Sequence, residues 1–179
     1  IFTAVRVQSL SALGVDSDDL LPIGVFLLNA QMAGMLVGGV VWGVLGDKLG
    51  LIHVLFGSIL LYSVANLLNA WVESVGSYAV LRFVSGVGLA GEIGAGITLV
   101  AELMPKERRG LATTAVATVG VSGAIAAGIV TQYVSWRTAY TIGGVMGLSL
   151  LALRVSVHES GLFRSVSERP EVRRGDLGM

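Results

Sequence analysis

Cysteine is missing altogether from these 179 residues, which excludes disulfides and thiolate metal sites while leaving the compartment open. Charge is scarce as well: 13% of the residues carry it, about half of the roughly 25% usual in soluble domains. Acids and bases balance at 12 each, for a net charge of zero, so nothing favours a nucleic acid partner. Histidine occurs only as His53 and His158, both at the edges of apolar runs. No serine–histidine pair or metal constellation falls within a run, so the chain reads as neither an enzyme nor a metal or cofactor protein. Ile1 to Leu10 lacks the basic n-region and cleavage site of a signal peptide. That stretch reads as the outer end of a span whose beginning lies upstream, and the chain is expected to be a piece of a longer protein.

What is present is apolar. Hydrophobic residues make up 54% of the chain and the mean hydropathy is +0.79. The run Ile23 to Leu45 holds no charge, and Leu51 to Val72 holds only His53. Runs of about 20 residues fill the hydrocarbon core of a bilayer, and without period-2 alternation they are helices. The 25 glycines suit close helix packing in lipid. The expected fold is an all-α integral membrane protein with a partial span at 1–13 and spans at about 22–46, 51–72, 77–104, 111–134 and 138–155, followed by a polar tail at 156–179. Six spans divide as three plus three, the inverted-repeat plan of many transporters.

Basic residues in short loops set the orientation. Lys48, Lys106, Arg108, Arg109, Arg154, Arg164, Arg169, Arg173 and Arg174 lie on one side, against Arg137 alone among the acids Asp16, Asp18, Asp19 and Glu73. The basic side and the tail are therefore expected in the cytoplasm, with the protein in the cell (inner or plasma) membrane. Trp71, Tyr78, Tyr133, Trp136 and Tyr140 flank the opposite loops, as a headgroup-level aromatic belt would.

Three groups of residues carry possible chemistry. Asp47 and Lys48 sit in the short charged insert Gly43–Gly50, where Asp47 is placed to cap the third helix. Glu102, Arg109 and Glu159 share that membrane surface, and together these charges form either a latch or a solvated basic rim. At membrane depth stand Arg82 and Glu92, with Arg6 near the end of the first span. An ionisable side chain there costs about 2.5–3.5 kcal/mol on insertion scales and needs a partner or a wet cavity. Arg82 and Glu92 are about 15 Å apart along one helix and cannot pair. Glu92 lies near mid-span, where it either exchanges a proton, contacts a solute or is locked to a neighbouring helix. Arg82 either snorkels, holds helices together or takes part in the same work. Arg6 suits an anionic solute or the interface. Asn29, Gln31, Asn66 and Asn69 suit interhelical hydrogen bonds. Gly86-Val-Gly88-Leu-Ala-Gly91 matches a dinucleotide-binding pattern by letter, but it lies inside a span rather than between a strand and a helix. Together with Gly34, Gly38 and Gly43 these glycines read as helix packing.

These residues resemble a family. Gly43-x-Leu45-x-Asp47-Lys48-x-Gly50 is similar to the signature loop between the second and third helices of the major facilitator superfamily. Arg82 within Leu81–Gly88 resembles its fourth-helix motif. Glu102…Pro105…Arg109-Gly110, Trp136-Arg137 and Glu159-Ser160 are similar to the sugar-porter and metabolite–proton symporter branches. The loop departs at Leu51, Ile52 and His53, where the family has basic residues. The resemblance implies the amino-terminal six-helix half of a twelve-helix secondary transporter, open to a small organic solute from one side and then the other. It implies a second six-helix half as partner alongside the lipid bilayer. It also implies Asp47, Lys48, Glu102, Arg109 and Glu159 as an inner gate, and a cavity lined by the first and fourth helices, with Glu92 the first candidate for proton coupling and Arg82 and Arg6 beside it. A non-transporting membrane scaffold or assembly subunit is the other reading the sequence leaves open.

Overall fold

The structure, a computed structural model, describes residues 2–167 and, among these, the side chains of all but 101–103 and 157–167. Its elements are α1 (Phe2–Ala12), α2 (Leu20–Leu49), α3 (Leu51–Asn69), α4 (Val75–Leu103), a 3-10 turn (Lys106–Arg108), α5 (Arg109–Val130) and α6 (Trp136–Ser167), with no strand among the described residues. The stretches Leu20–Leu49, Leu51–Asn69, Val75–Val100, Lys106–Val130 and Trp136–Ser156 are each long and apolar enough to cross a bilayer. The protein is thus an all-α, multi-pass membrane protein. The helices alternate in direction, so the bundle has an acidic end, with the α1–α2 connection, and a basic end, with Asp47, Lys48 and the Lys106–Arg108 turn.

The charged insert is not a loop. α2 continues through Asp47 and Lys48 to Leu49, and one residue, Gly50, joins it to α3. Gly50 has φ +86° and ψ 156°, a conformation essentially only glycine enters and one that costs an L side chain about 1–3 kcal/mol. Gly50 also occupies the cap position of α3 without any side-chain cap bond, so Asp47 does not cap that helix. α4 starts where its sequence says: the Ser74 hydroxyl accepts the Ser77 N–H at 3.2 Å, satisfying one of the free donors of a helix start. α6 runs to Ser167, beyond the polar boundary at residue 156. At 1.5 Å per residue it is about 48 Å long, well over the hydrocarbon thickness.

α4 is the centre of the packing, lying along α2 on one side and α3 on the other, while α3 also packs along α6. Glycine sets the α2–α4 distance. A Cβ at Gly38 would stand 2.5 Å from the Val87 carbonyl oxygen, and Gly34 and Gly86 meet the Phe83 and Gln31 carbonyls just as closely. Backbone therefore rests on backbone, the closest approach two helices can make. Gly88 and Gly91 face α3 at Tyr62 and Ser58, and Gly144 and Gly147 of α6 face Ser63. The three glycines of the nucleotide-like pattern thus all stand at helix crossings. Gly43 differs: open space surrounds it. Trp42 wedges the three helices together, its ring against Gly57 and Gly91 and its Nε1 donating to the Val87 carbonyl at 2.8 Å. At the acidic end Arg137 ties α6 to the end of α3, donating to Ala70 and Val72 carbonyls at 2.7 and 3.4 Å while stacking on Trp136. α5 stands apart. It touches the bundle chiefly through α4, borders a cavity shared with α6 and buries no residue.

Candidate functional site

The acidic-end core closes around a cation. Arg82 enters from α4 about 10 Å below Val75, at 1.5 Å per residue, and is only 2% exposed. Its Nη2 donates to Asn66 Oδ1 of α3 at 3.1 Å and its Nη1 to Gln31 Oε1 of α2 at 3.4 Å. The guanidinium lies over three rings: Tyr140 of α6 at 5.1 Å, Phe2 of α1 at 5.3 Å and Tyr78 of its own helix at 5.8 Å. One side chain thus touches α1, α2, α3 and α6 as well as α4. At about 0.5–2 kcal/mol per ring, with two bonds from a charged donor, these contacts offset an insertion cost of about 2.5–3.5 kcal/mol. That is how a cation stays buried with neutral partners. Among the described residues its Nε has no acceptor.

A chain of hydroxyls runs past the same rings. Ser9 of α1 bonds Tyr78 at 3.2 Å, and Tyr78 bonds Tyr140 at 2.7 Å. Tyr78 and Tyr140 are fully buried, which corrects their reading as interfacial belt residues; Trp136 is buried with them. Trp71 and Tyr133, at 61% and 82% exposure, do stand outside the bundle. The belt reading failed for Tyr78, Trp136 and Tyr140 because nearness to a loop in sequence says nothing about which side of the helix faces its neighbours. Their signal was present all the same: Tyr78 and Arg82 are four residues apart and therefore share a face.

The other sequence candidates are spread out. Arg6 is half-buried, its aliphatic stem packed over Gly24 of α2. Glu92 is half-buried and makes no hydrogen bond among the described residues; the positive charge that acts on it is Arg154 of α6. At 1.5 Å per residue Glu92 lies about 12 Å from Val100 and about 25 Å from Val75, within about 7 Å of the middle of that stretch and on its basic side. Arg82 and Glu92 therefore occupy different levels of α4. Asp47 and Lys48 are exposed in the last turn of α2. Arg109 is exposed and turned back on its own loop, its Nε donating to the Met104 carbonyl at 3.2 Å. The side chains of Glu102 and Glu159 lie outside the described residues, so of the five supposed gate residues the structure describes three. A groove of about 510 Å³ opens between α2, α3 and α4 at this end, lined by Gly39, Trp42, Gly43, Asp47, Gly94 and Thr98 among others.

Comparison with known proteins gives this geometry a context. A sequence profile described as Major Facilitator Superfamily matches residues 10–175. The chain is 32% identical to the 4-hydroxybenzoate transporter PcaK of Pseudomonas putida, over 87% of this chain and 35% of that protein. It is 32% identical to the sialic acid transporter NanX of Escherichia coli, over 69% of this chain and 32% of the other. With the niacin transporter NiaP of Acinetobacter baylyi it shares 28% identity, over 75% and 32%. The chain spans about a third of the length of these relatives.

Proposed function

From the premise that this chain belongs to the major facilitator superfamily, we propose that it is the amino-terminal half of a secondary transporter. Its cargo is a small organic solute, carried by alternating access and coupled to protons. The relatives are named for 4-hydroxybenzoate, sialic acid and niacin, all carboxylic acids, and a small organic acid is accordingly the cargo. A second six-helix half completes the solute cavity, and rocking of the two halves exposes it to each side in turn. The basic end, with Lys48 and the Lys106–Arg109 segment, faces the cytoplasm of the cell membrane under the positive-inside rule.

The observation that supports the coupling is Glu92: a half-buried carboxyl with no hydrogen bond among the described residues, in a membrane-crossing stretch. A group so placed is costly to hold charged and is a functional candidate by default. It gains and loses a proton as the cavity changes sides. Asp47, with Lys48, Glu102, Arg109 and Glu159, acts at the basic end in the change of conformation and not in holding the solute. Arg82 and Arg6 serve the solute on the α1 side.

Uptake of radiolabelled 4-hydroxybenzoate into proteoliposomes, with and without an inward proton gradient, tests this reading. The gradient should accelerate uptake by the wild type, and Glu92→Gln should lose that acceleration by about tenfold or more, the scale of one essential proton step. Gradient-driven uptake at the wild-type rate in Glu92→Gln removes Glu92 from the coupling.

A further inference from the structure

Arg154 is a half-buried cation near the end of the membrane-crossing stretch Trp136–Ser156, and nothing above gives it a role. Register supplies its neighbour. α4 and α6 both run from the acidic to the basic end, and the 2.7 Å bond between Tyr78 and Tyr140 fixes their alignment. Glu92 stands fourteen residues after Tyr78, and Arg154 stands fourteen residues after Tyr140. Fourteen residues advance each helix by about 21 Å and leave it about 40° short of four full turns. Glu92 and Arg154 therefore continue, at one level, the two faces that the tyrosines join. We propose that Arg154 is the positioning partner of Glu92, holding beside α3 the carboxylate that remains when Glu92 gives up its proton to water. The inference rests on the coupling reading for that proton step.

The helix between them gives the same level independently. A Cβ at Gly91 would meet Ser58 of α3, and one at Gly147 would meet Ser63. α3 runs the opposite way, so Glu92, one residue past Gly91, reaches the level of Gly57. Arg154, seven past Gly147, reaches the level of Phe56. Glu92 is four residues after Gly88, which rests on Tyr62 of α3, and so shares its face. Arg154 is three after Leu151, which packs against the cluster of Val54, Leu55 and Ile59. Both side chains thus border α3, and the positive charge acting on Glu92 is that of Arg154. His53 of α3, about 5 Å nearer the basic end at 1.5 Å per residue, is exposed. A lone carboxylate and a lone guanidinium are each costly at membrane depth, and opposite charges at one level relieve both. Once Glu92 is protonated, Arg154 is free to extend its long stem to the basic surface, two residues away at Ser156. The protonation of Glu92 thereby decides where the charge of α6 lies.

The juxtaposition is tested without transport in the full-length protein purified in detergent, on a background free of cysteine. Cysteines replacing Glu92 and Arg154 should be bridged by a short bis-maleimide. Cleavage at a protease site placed in the Lys106–Arg108 turn should then leave the two fragments joined. Cysteines replacing Ile93 and Arg154 should not be bridged, because Ile93 is turned about 100° from Glu92. A first pair that fails to bridge, or two pairs that bridge equally, overturns the juxtaposition. Its use is tested by uptake of 4-hydroxybenzoate into proteoliposomes under an inward proton gradient. Arg154→Gln should lose the acceleration by the gradient about tenfold or more, the scale of one proton step, and Arg154→Lys should retain most of it. In a Glu92→Gln background, Arg154→Gln should cost nothing further, as for two members of one pair. Wild-type acceleration in Arg154→Gln, or losses that add, overturns the positioning role; an equal loss in Arg154→Lys overturns a role for the charge. If Glu92→Gln itself keeps the acceleration, the coupling reading falls, and bridging of the cysteines alone decides whether the pair stands.

Discussion

Asp47 occupies the last turn of α2, where the negative end of the helix dipole opposes a carboxylate by about 0.3–1 kcal/mol. It is exposed and makes no hydrogen bond among the described residues, so its local surroundings give no reason for its being an acid. The proposed gate role would supply one, as a partner met in another conformation. Asp47→Asn should leave the thermal stability of the half unchanged or slightly raised, keep solute affinity within about twofold, and slow transport about tenfold or more, the loss of one bond to a charged group. Parallel binding and uptake measurements on the same preparation check this, and a normal uptake rate contradicts it. The sequence already marks Asp47 as unusual, through its charge between two apolar runs. It does not reveal the surroundings of Arg82, because Gln31 and Asn66 lie 51 and 16 residues away and only the packed helices bring them together.

Among the helices, the α2–α4 crossing is where sequence spacing and geometry can be compared directly. Small residues four apart mark one face of a helix, and Gly34 and Gly38 have that spacing, as do Gly39 and Gly43. Spacing gives the face but not the neighbour: Gly38 rests on the Val87 carbonyl while Gly39 and Gly43 look into open space. Gly38→Ala should therefore push α2 from α4 and cost about 1–3 kcal/mol, as overpacking does. Gly39→Ala, one residue away, should be neutral or slightly stabilising, since alanine is the better helix former by up to about 1 kcal/mol. Thermal unfolding of the two variants in the same detergent gives the comparison, and equal midpoints contradict it. Helix ends are the less legible part. Asp47 and Lys48 look like a loop by charge, yet charged residues are readily housed in a helical turn that has reached the membrane surface, so α2 simply continues.

For the molecule as a whole, length and apolarity alone make the spans plain, because only helices satisfy their own backbone in lipid. The exposed surface is not plain in the same way. α5 is as apolar as its neighbours and yet buries nothing, a fact that no property of its own sequence carries. Orientation is open to a clean test because the chain has no cysteine. A single cysteine replacing Asp18 should react in intact cells with a membrane-impermeant maleimide, and one replacing Lys106 should react only after the cells are opened. The reverse pattern inverts the assignment of the two ends.

Gly50 has a mechanical consequence. A joint one residue long has no slack, so α2 cannot roll or slide without dragging α3 by the same amount. If Asp47 acts in the proposed change of conformation, a push delivered there would not be dissipated in a loop but would become torque on a two-helix lever. α4 is clamped to both arms of that lever, and it carries Glu92 near its middle and Arg82 nearer the far end. On the proposed mechanism, a stroke at one membrane face would in this way be felt at the other.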